Sequence, residues 1–166
     1  TRAGEFSGEP NLDGASGIAQ AHPDDWSAIQ WLNQNAVGNA GKVPVILEAP
    51  GRSYDYEGRI SAFTGYPAVL GWAVHESQWR GNYDEQGKRE PDIATIYTTN
   101  DGQLMLDLLR KWEVDYLIFG QTELYYLIEL CSSAEFICDP ATAMRKFELF
   151  LTPVFESGDT RIYQVP

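Results

Sequence analysis

Short apolar runs, too brief to be helices and set between segments of helical spacing, are what most narrows the folds open to this chain. Residues 43–47 (VPVIL), 67–74 (PAVLGWAV) and 114–119 (VDYLIF) each read as a buried strand. Pro44 sits near the start of its run, where a missing N–H is tolerated. Between them fall helical patterns. Asp24 follows Pro23 as an N-cap, with Trp26, Ile29 and Leu32 at helical spacing behind it. Residues 59–64 make a helical turn stopped by Gly65. Pro91 opens a short helix through Tyr97, as proline does at a first helical position. Asn100 or Asp101 caps a stripe of Leu104, Leu108, Leu109 and Trp112, with Arg110 and Lys111 in the last turn complementing the helix dipole. Residues 122–130 read as a further helix, and residues 131–138 as an irregular excursion. Residues 153–156 and 161–165, joined across Ser157-Gly158-Asp159, form a hairpin. Alternation of this kind implies an α/β domain: a central mixed, partly parallel sheet flanked by helices, with a C-terminal β-hairpin.

Composition supports one ordered domain. With 43% hydrophobic and 13% aromatic residues against 22% charged, 166 residues can build a core without a metal. Residues 1–21, rich in Gly, Ser and Ala with no sustained period, read as an N-terminal arm or linker, leaving 22–166 as a single α/β domain. Thr1 in place of an initiator Met suggests a piece of something longer or a matured product. Asp and Glu number 24 against 12 Lys and Arg, a formal charge of −12, which disfavours nucleic acid as a partner. The longest apolar run is about eight residues, far below the roughly 20 that span a bilayer.

Glycine-rich phosphate loops, the G-x-S-x-G elbow, C-x-x-C and H-E-x-x-H are missing, and His22 and His75 are the only histidines. No cofactor or metal is implied. The polar residues of interest gather after the first two predicted strands. Glu48 ends the first, with Tyr54, Tyr56 and Arg59 in its loop; His75, Glu76, Gln78, Trp79 and Arg80 follow the second. Ligands of open α/β sheets collect at the carboxyl ends of strands, so these residues are expected to converge on one patch. Arg59 and Arg80 would pair with a phosphate or acidic loops, Trp79 and Tyr54 would stack on a sugar, and Glu76 with His75 would fix hydroxyls. The plainer alternative is an ion pair between Glu48 and an arginine that staples two loops. Glu48 and Glu76 as the paired carboxylates of a stand-alone glycoside hydrolase is a third reading. Cys131 and Cys138, seven positions apart, would lie about 10 Å from each other in a helix, too far to bridge, whereas a loop would let them close a small disulfide.

Several of these strings recur together in one known family. Residues 24–32 (DDWSAIQWL), 45–49 (VILEA), Tyr54, 59–65 (RISAFTG), 70–72 (LGW), 75–80 (HESQWR), 114–116 (VDY), 153–156 (PVFE) and 162–163 (IY) occur in that order. The series resembles the C-terminal soluble region of the YYY family of polytopic membrane proteins, across nearly the whole chain. The resemblance implies an extracytoplasmic domain whose main partner is the membrane region of its own parent chain. It also implies a distant similarity to GT-C membrane glycosyltransferases, which use a polyprenyl-phosphate sugar and carry their catalytic acid in the membrane region. No catalytic residue is expected in this piece. The site residues above would contact saccharide or dock the membrane region, or the domain would be purely structural. Residues 130–141 look longer than the corresponding link in that family, and an oxidising location would favour a disulfide between Cys131 and Cys138.

Overall fold

The computed structural model describes residues 14–53, 55–133 and 138–166. Its centre is a four-stranded mixed sheet made of β1 (Ile46–Leu47), β2 (Tyr116–Phe119), β3 (Thr152–Ser157) and β4 (Thr160–Gln164), in the spatial order β1-β2-β4-β3. β1 runs parallel to β2, with Ile46 opposite Tyr116. β4 is antiparallel to both β2 and β3, and the register of the hairpin's outer strand shifts between Pro153 and Phe155. Gly158 adopts φ +51° at the hairpin turn, and a Cβ there would meet the Asp24 carboxylate, so glycine is required on both counts.

β2 explains why helices cover both faces of the sheet. All four of its residues are buried, and successive side chains of a strand point to opposite faces. Leu117 and Phe119 enter a core with Tyr97, Met105, Leu109, Phe147 and Tyr163, drawn from α5 (Gln86–Thr98), α6 (Gly102–Lys111), α8 (Pro140–Phe150) and β4. Tyr116 and Ile118 enter a second core with Ile29, Leu32, Ile60 and Ile162, drawn from α2 (Pro23–Asn35), α3 (Arg59–Thr64) and β4. The fold is thus a helix–sheet–helix sandwich, and its apolar strands need no polar face. Asp101 caps α6, accepting from the amides of Gln103 and Leu104. Among the described residues, no helix is long and apolar enough to cross a membrane.

Four expectations change. Residues 67–74 are not a strand. They run beside β1 and make only isolated parallel bridges, Ile46 with Ala68 and Gly51 with Trp72. Trp72 then caps α4 (Ala73–Arg80), so the run ends in a helix instead of a loop. Apolarity alone does not separate these outcomes, because a buried extended segment and the first turn of a buried helix carry the same residues. Within the expected N-terminal arm, Gly14–Ala21 form α1, which packs on α2 and buries Ile18. Pro91 lies inside α5, which starts five residues earlier, at Gln86. Residues 140–150, for which no element was expected, form α8, capped by the Asp139 side chain.

Candidate functional site

At the carboxyl ends of β1 and β2 the chain places a buried ionic network centred on Arg59. Glu48 follows β1, Arg59 opens α3, Asp25 lies in the first turn of α2, and Glu123 lies in the first turn of α7 (Gln121–Ser132). Arg59 is 3% exposed and Glu48 and Glu123 are fully buried. The guanidinium meets Glu123 in a two-point fork, Nη1 to Oε1 at 3.0 Å and Nη2 to Oε2 at 2.9 Å. Its Nε donates to Asp25 at 2.7 Å, and Glu48 Oε2 stands 3.6 Å from Nη1.

Each carboxylate also accepts hydrogen bonds from outside the network. Glu48 accepts the amides of Ile60 and Ser61, the free N–H groups at the start of α3, where the helix dipole favours an anion. Glu123 accepts the amides of Ala49 and Gly120. Asp25 accepts the hydroxyls of Tyr56 and Thr160. Burial disfavours the charged form of Asp25, but the hydrogen bonds and charge of Arg59, with Tyr56 and Thr160, outweigh it and hold the carboxyl below its ordinary range. At Glu48 burial prevails over Arg59 and the two amides and pushes the carboxyl up. Arg59 itself, disfavoured by burial, is held as a cation by Glu123 and Asp25.

The remaining sequence-predicted residues lie on α4, outside this network. Trp79 is 81% exposed, and Gln78 and Arg80 are exposed beside it. Trp79 Nε1 donates to His75 Nε2 at 3.0 Å, one helical turn back. Arg80 stands 3.8 Å from Glu76, an i,i+4 pair open to solvent, and Glu76 Oε1 also accepts the Gly71 amide. Trp72 connects the two groups. Its Nε1 donates to the Glu57 carbonyl at 2.6 Å, and its ring meets that of His75 edge-on at 5.9 Å. Gly58, between Glu57 and Arg59, has φ +83° and lies so close to the Trp72 indole that a Cβ would stand 3.3 Å from its nitrogen. Tyr54 lies outside the described residues. The expected single patch is therefore divided: Glu48 and Arg59 are inside the molecule, and His75, Glu76, Gln78, Trp79 and Arg80 form a surface helix. Glu48, buried beneath two amides, is not positioned as one of two carboxylates facing across an open cleft.

A cleft of about 740 Å³ opens beside the network, between the loop that follows β1 and α7. Tyr56, Tyr125, Tyr126 and His22 supply its aromatic surface, and Asp55, Glu57 and Glu129 supply carboxylates. His22 stacks on Tyr56 with ring centroids 4.1 Å apart. Asp25, Glu123, His22 and Tyr125 are not among the site residues expected from the sequence. Glu123 carried a local signal, an acid three residues after the glycine that ends a strand, the position from which a side chain reaches back to a helix's first amides. Asp25, next to Asp24 in a first turn, looks like an ordinary dipole-favouring residue, and nothing local reveals that it turns inward.

Cys131, at the end of α7, is disulfide-bonded to Cys138, with Cα atoms 4.9 Å apart. The helix ends at Ser132, which removes the 10 Å separation that a continuous helix would impose.

No family model matches the chain, and no curated protein matches it. Among solved structures, the fold is similar to the C-terminal globular domain of an oligosaccharyltransferase from Archaeoglobus fulgidus. The two are 15% identical, with a TM-score of 0.52, and the match covers 86% of this chain and 97% of that domain. At that identity the likeness establishes a shared fold.

Proposed function

We propose that this chain is the extracytoplasmic globular domain of a polytopic membrane protein of the YYY type, glycosyltransferase-like, which works with its parent's membrane region and is not a catalyst alone. The observation that carries the reading is the extent of the fold likeness, which takes in nearly all of an oligosaccharyltransferase's globular domain. The disulfide supports an oxidising location. In such a parent the catalytic acid belongs to the membrane region, and this domain contributes contacts to a lipid-linked sugar. Surface helix α4 is the element assigned to that contact. Arg80 offers a guanidinium for phosphate and Trp79 an exposed indole for a sugar face.

The test is glycosyl transfer from polyprenyl-phosphate sugars by membranes containing the full-length parent. Trp79→Ala and Arg80→Ala should each reduce turnover by about tenfold or more, the loss of one good contact. Unimpaired turnover in both disposes of the substrate-contact role.

A docking role is the second reading, favoured by the burial of Arg59 and Glu48, which leaves neither side chain within reach of a ligand. In that case the α4 substitutions lower the amount of assembled, detergent-stable parent protein, while turnover per assembled molecule stays unchanged.

A further inference from the structure

We infer that the cleft between the β1–α3 loop and α7 is a binding site for a neutral oligosaccharide, with a sugar face laid on Tyr125 and hydroxyls donated to the carboxylates of the rim. The inference rests on the glycosyltransferase-like reading only for the origin of the sugar; the site is separate from α4. Its volume, about 740 Å³, lies within the roughly 300–1,000 Å³ usual for small-molecule sites and is generous for a single sugar ring.

Three observations set the ligand class. The first is aromatic surface left in solvent: Tyr125 lines the cleft from α7 and is 65% exposed, a cost the fold could have avoided with a polar residue. Opposite chain segments contribute the His22–Tyr56 stack. The second is rigidity. The Tyr56 hydroxyl donates to Asp25 at 2.9 Å, and Asp25 is itself clamped by Arg59, so the buried network fixes this wall before any ligand arrives. The third is polarity of both kinds. Asp55, Glu57 and Glu129 accept hydrogen bonds, while Arg52, Gln121 and Thr122 can donate. A hydroxyl both donates and accepts and so answers both sets. A phosphorylated ligand would face the three rim carboxylates against the single charge of Arg52, and a basic peptide, whose carbonyls would also answer the donors, is the competing class that the titration separates.

The experiment is calorimetric titration of this chain with neutral trisaccharides of glucose, mannose and N-acetylglucosamine, each beside a phosphorylated counterpart, and with oligolysine. At least one neutral trisaccharide should bind, and its phosphorylated form should bind more weakly. Tyr125→Ala should weaken binding by about tenfold, the loss of one stacking face. Tyr125→Trp should retain it. Leu149→Ala, an exposed site on α8 away from the cleft, should leave it unchanged. The proposal is overturned if no neutral trisaccharide binds, if Tyr125→Ala binds as tightly as the parent sequence, or if the phosphorylated sugar or oligolysine binds more tightly. Failure here, with transfer by the full-length protein intact, removes the cleft and leaves the proposed function standing. Binding here, with no transfer activity in the parent, does the reverse.

Discussion

Arg59 shows how one residue can join segments that are distant along the chain. A buried guanidinium and three buried carboxylates each cost several kcal/mol to dehydrate, and mutual attraction repays this only where geometry is good and the remaining lone pairs are satisfied. Here they are: the fork to Glu123 and the backbone amides on Glu48 and Glu123 account for the oxygens. Removing one partner leaves the others charged and unpaired. Arg59→Met should therefore lower the unfolding free energy by about 3–5 kcal/mol, read from urea denaturation. Protonation acts on this network in two opposite directions. Glu48, raised by burial, binds a proton more readily folded than unfolded, so its contribution to stability falls as pH rises through the window between those two values. Asp25, held low despite burial, stabilises above the unfolded carboxylate range and loses that contribution as pH falls through its folded value. Relative to the parent sequence, Glu48→Gln should abolish the first slope and keep the second, which a pH series of denaturation midpoints would show. Residue types alone placed Glu48 and Arg59 near the end of a strand and admitted their pairing. They did not supply Asp25 and Glu123, because those partners come from helices 34 and 64 positions away.

Among the helices, α8 carries the least expected device. Ala143, Lys146 and Phe147 share its buried face, an i, i+3, i+4 pattern with a lysine where an apolar residue would serve. Lys146 Nζ donates to the Tyr97 carbonyl at 2.6 Å and lies 4.8 Å from the centre of the Phe147 ring. Burial pushes its ammonium down to about 7. The unfolded chain thus holds this proton more tightly than the folded one, and stability should rise with pH between about 7 and the ordinary lysine value of about 10.4. Lys146→Met should stabilise the protein at neutral pH and flatten that rise, measurable by thermal melting across the range. The disulfide at the end of α7 closes a loop of about eight residues, for which chain entropy gives about 2–3 kcal/mol, so reduction or Cys131→Ser should lower stability by that amount. Element types were legible where period and length agreed, as in α2, α6, β2 and the hairpin. They were not where an apolar run served a different partner: residues 67–74 lie beside β1, yet their last residues begin α4.

The molecule as a whole couples a rigid interior to an open, acidic surface. The Arg59 network ties α2, α3, α7 and the end of β1 to one another, and it is also what holds Tyr56 at the wall of the cleft. A formal charge of −12 should keep the chain off anionic bilayers. Co-sedimentation with vesicles rich in phosphatidylserine at physiological salt should leave it in the supernatant, and a bound fraction would show a basic surface that the sequence does not suggest. The order of residues alone was enough to set the fold class: period and run length are local properties, and a strand apolar on both faces has to be covered by helices on both sides. It also placed Glu48 and residues 75–80 next to the apolar runs that they follow. Folding settled which polar groups are buried and which face solvent, because side-chain burial is set by what packs opposite, drawn from parts of the chain that no local pattern connects. It put Arg59 inside among three carboxylates, left Trp79 outside, and opened between α7 and the β1–α3 loop a cleft whose aromatic and acidic residues lie far apart in the sequence.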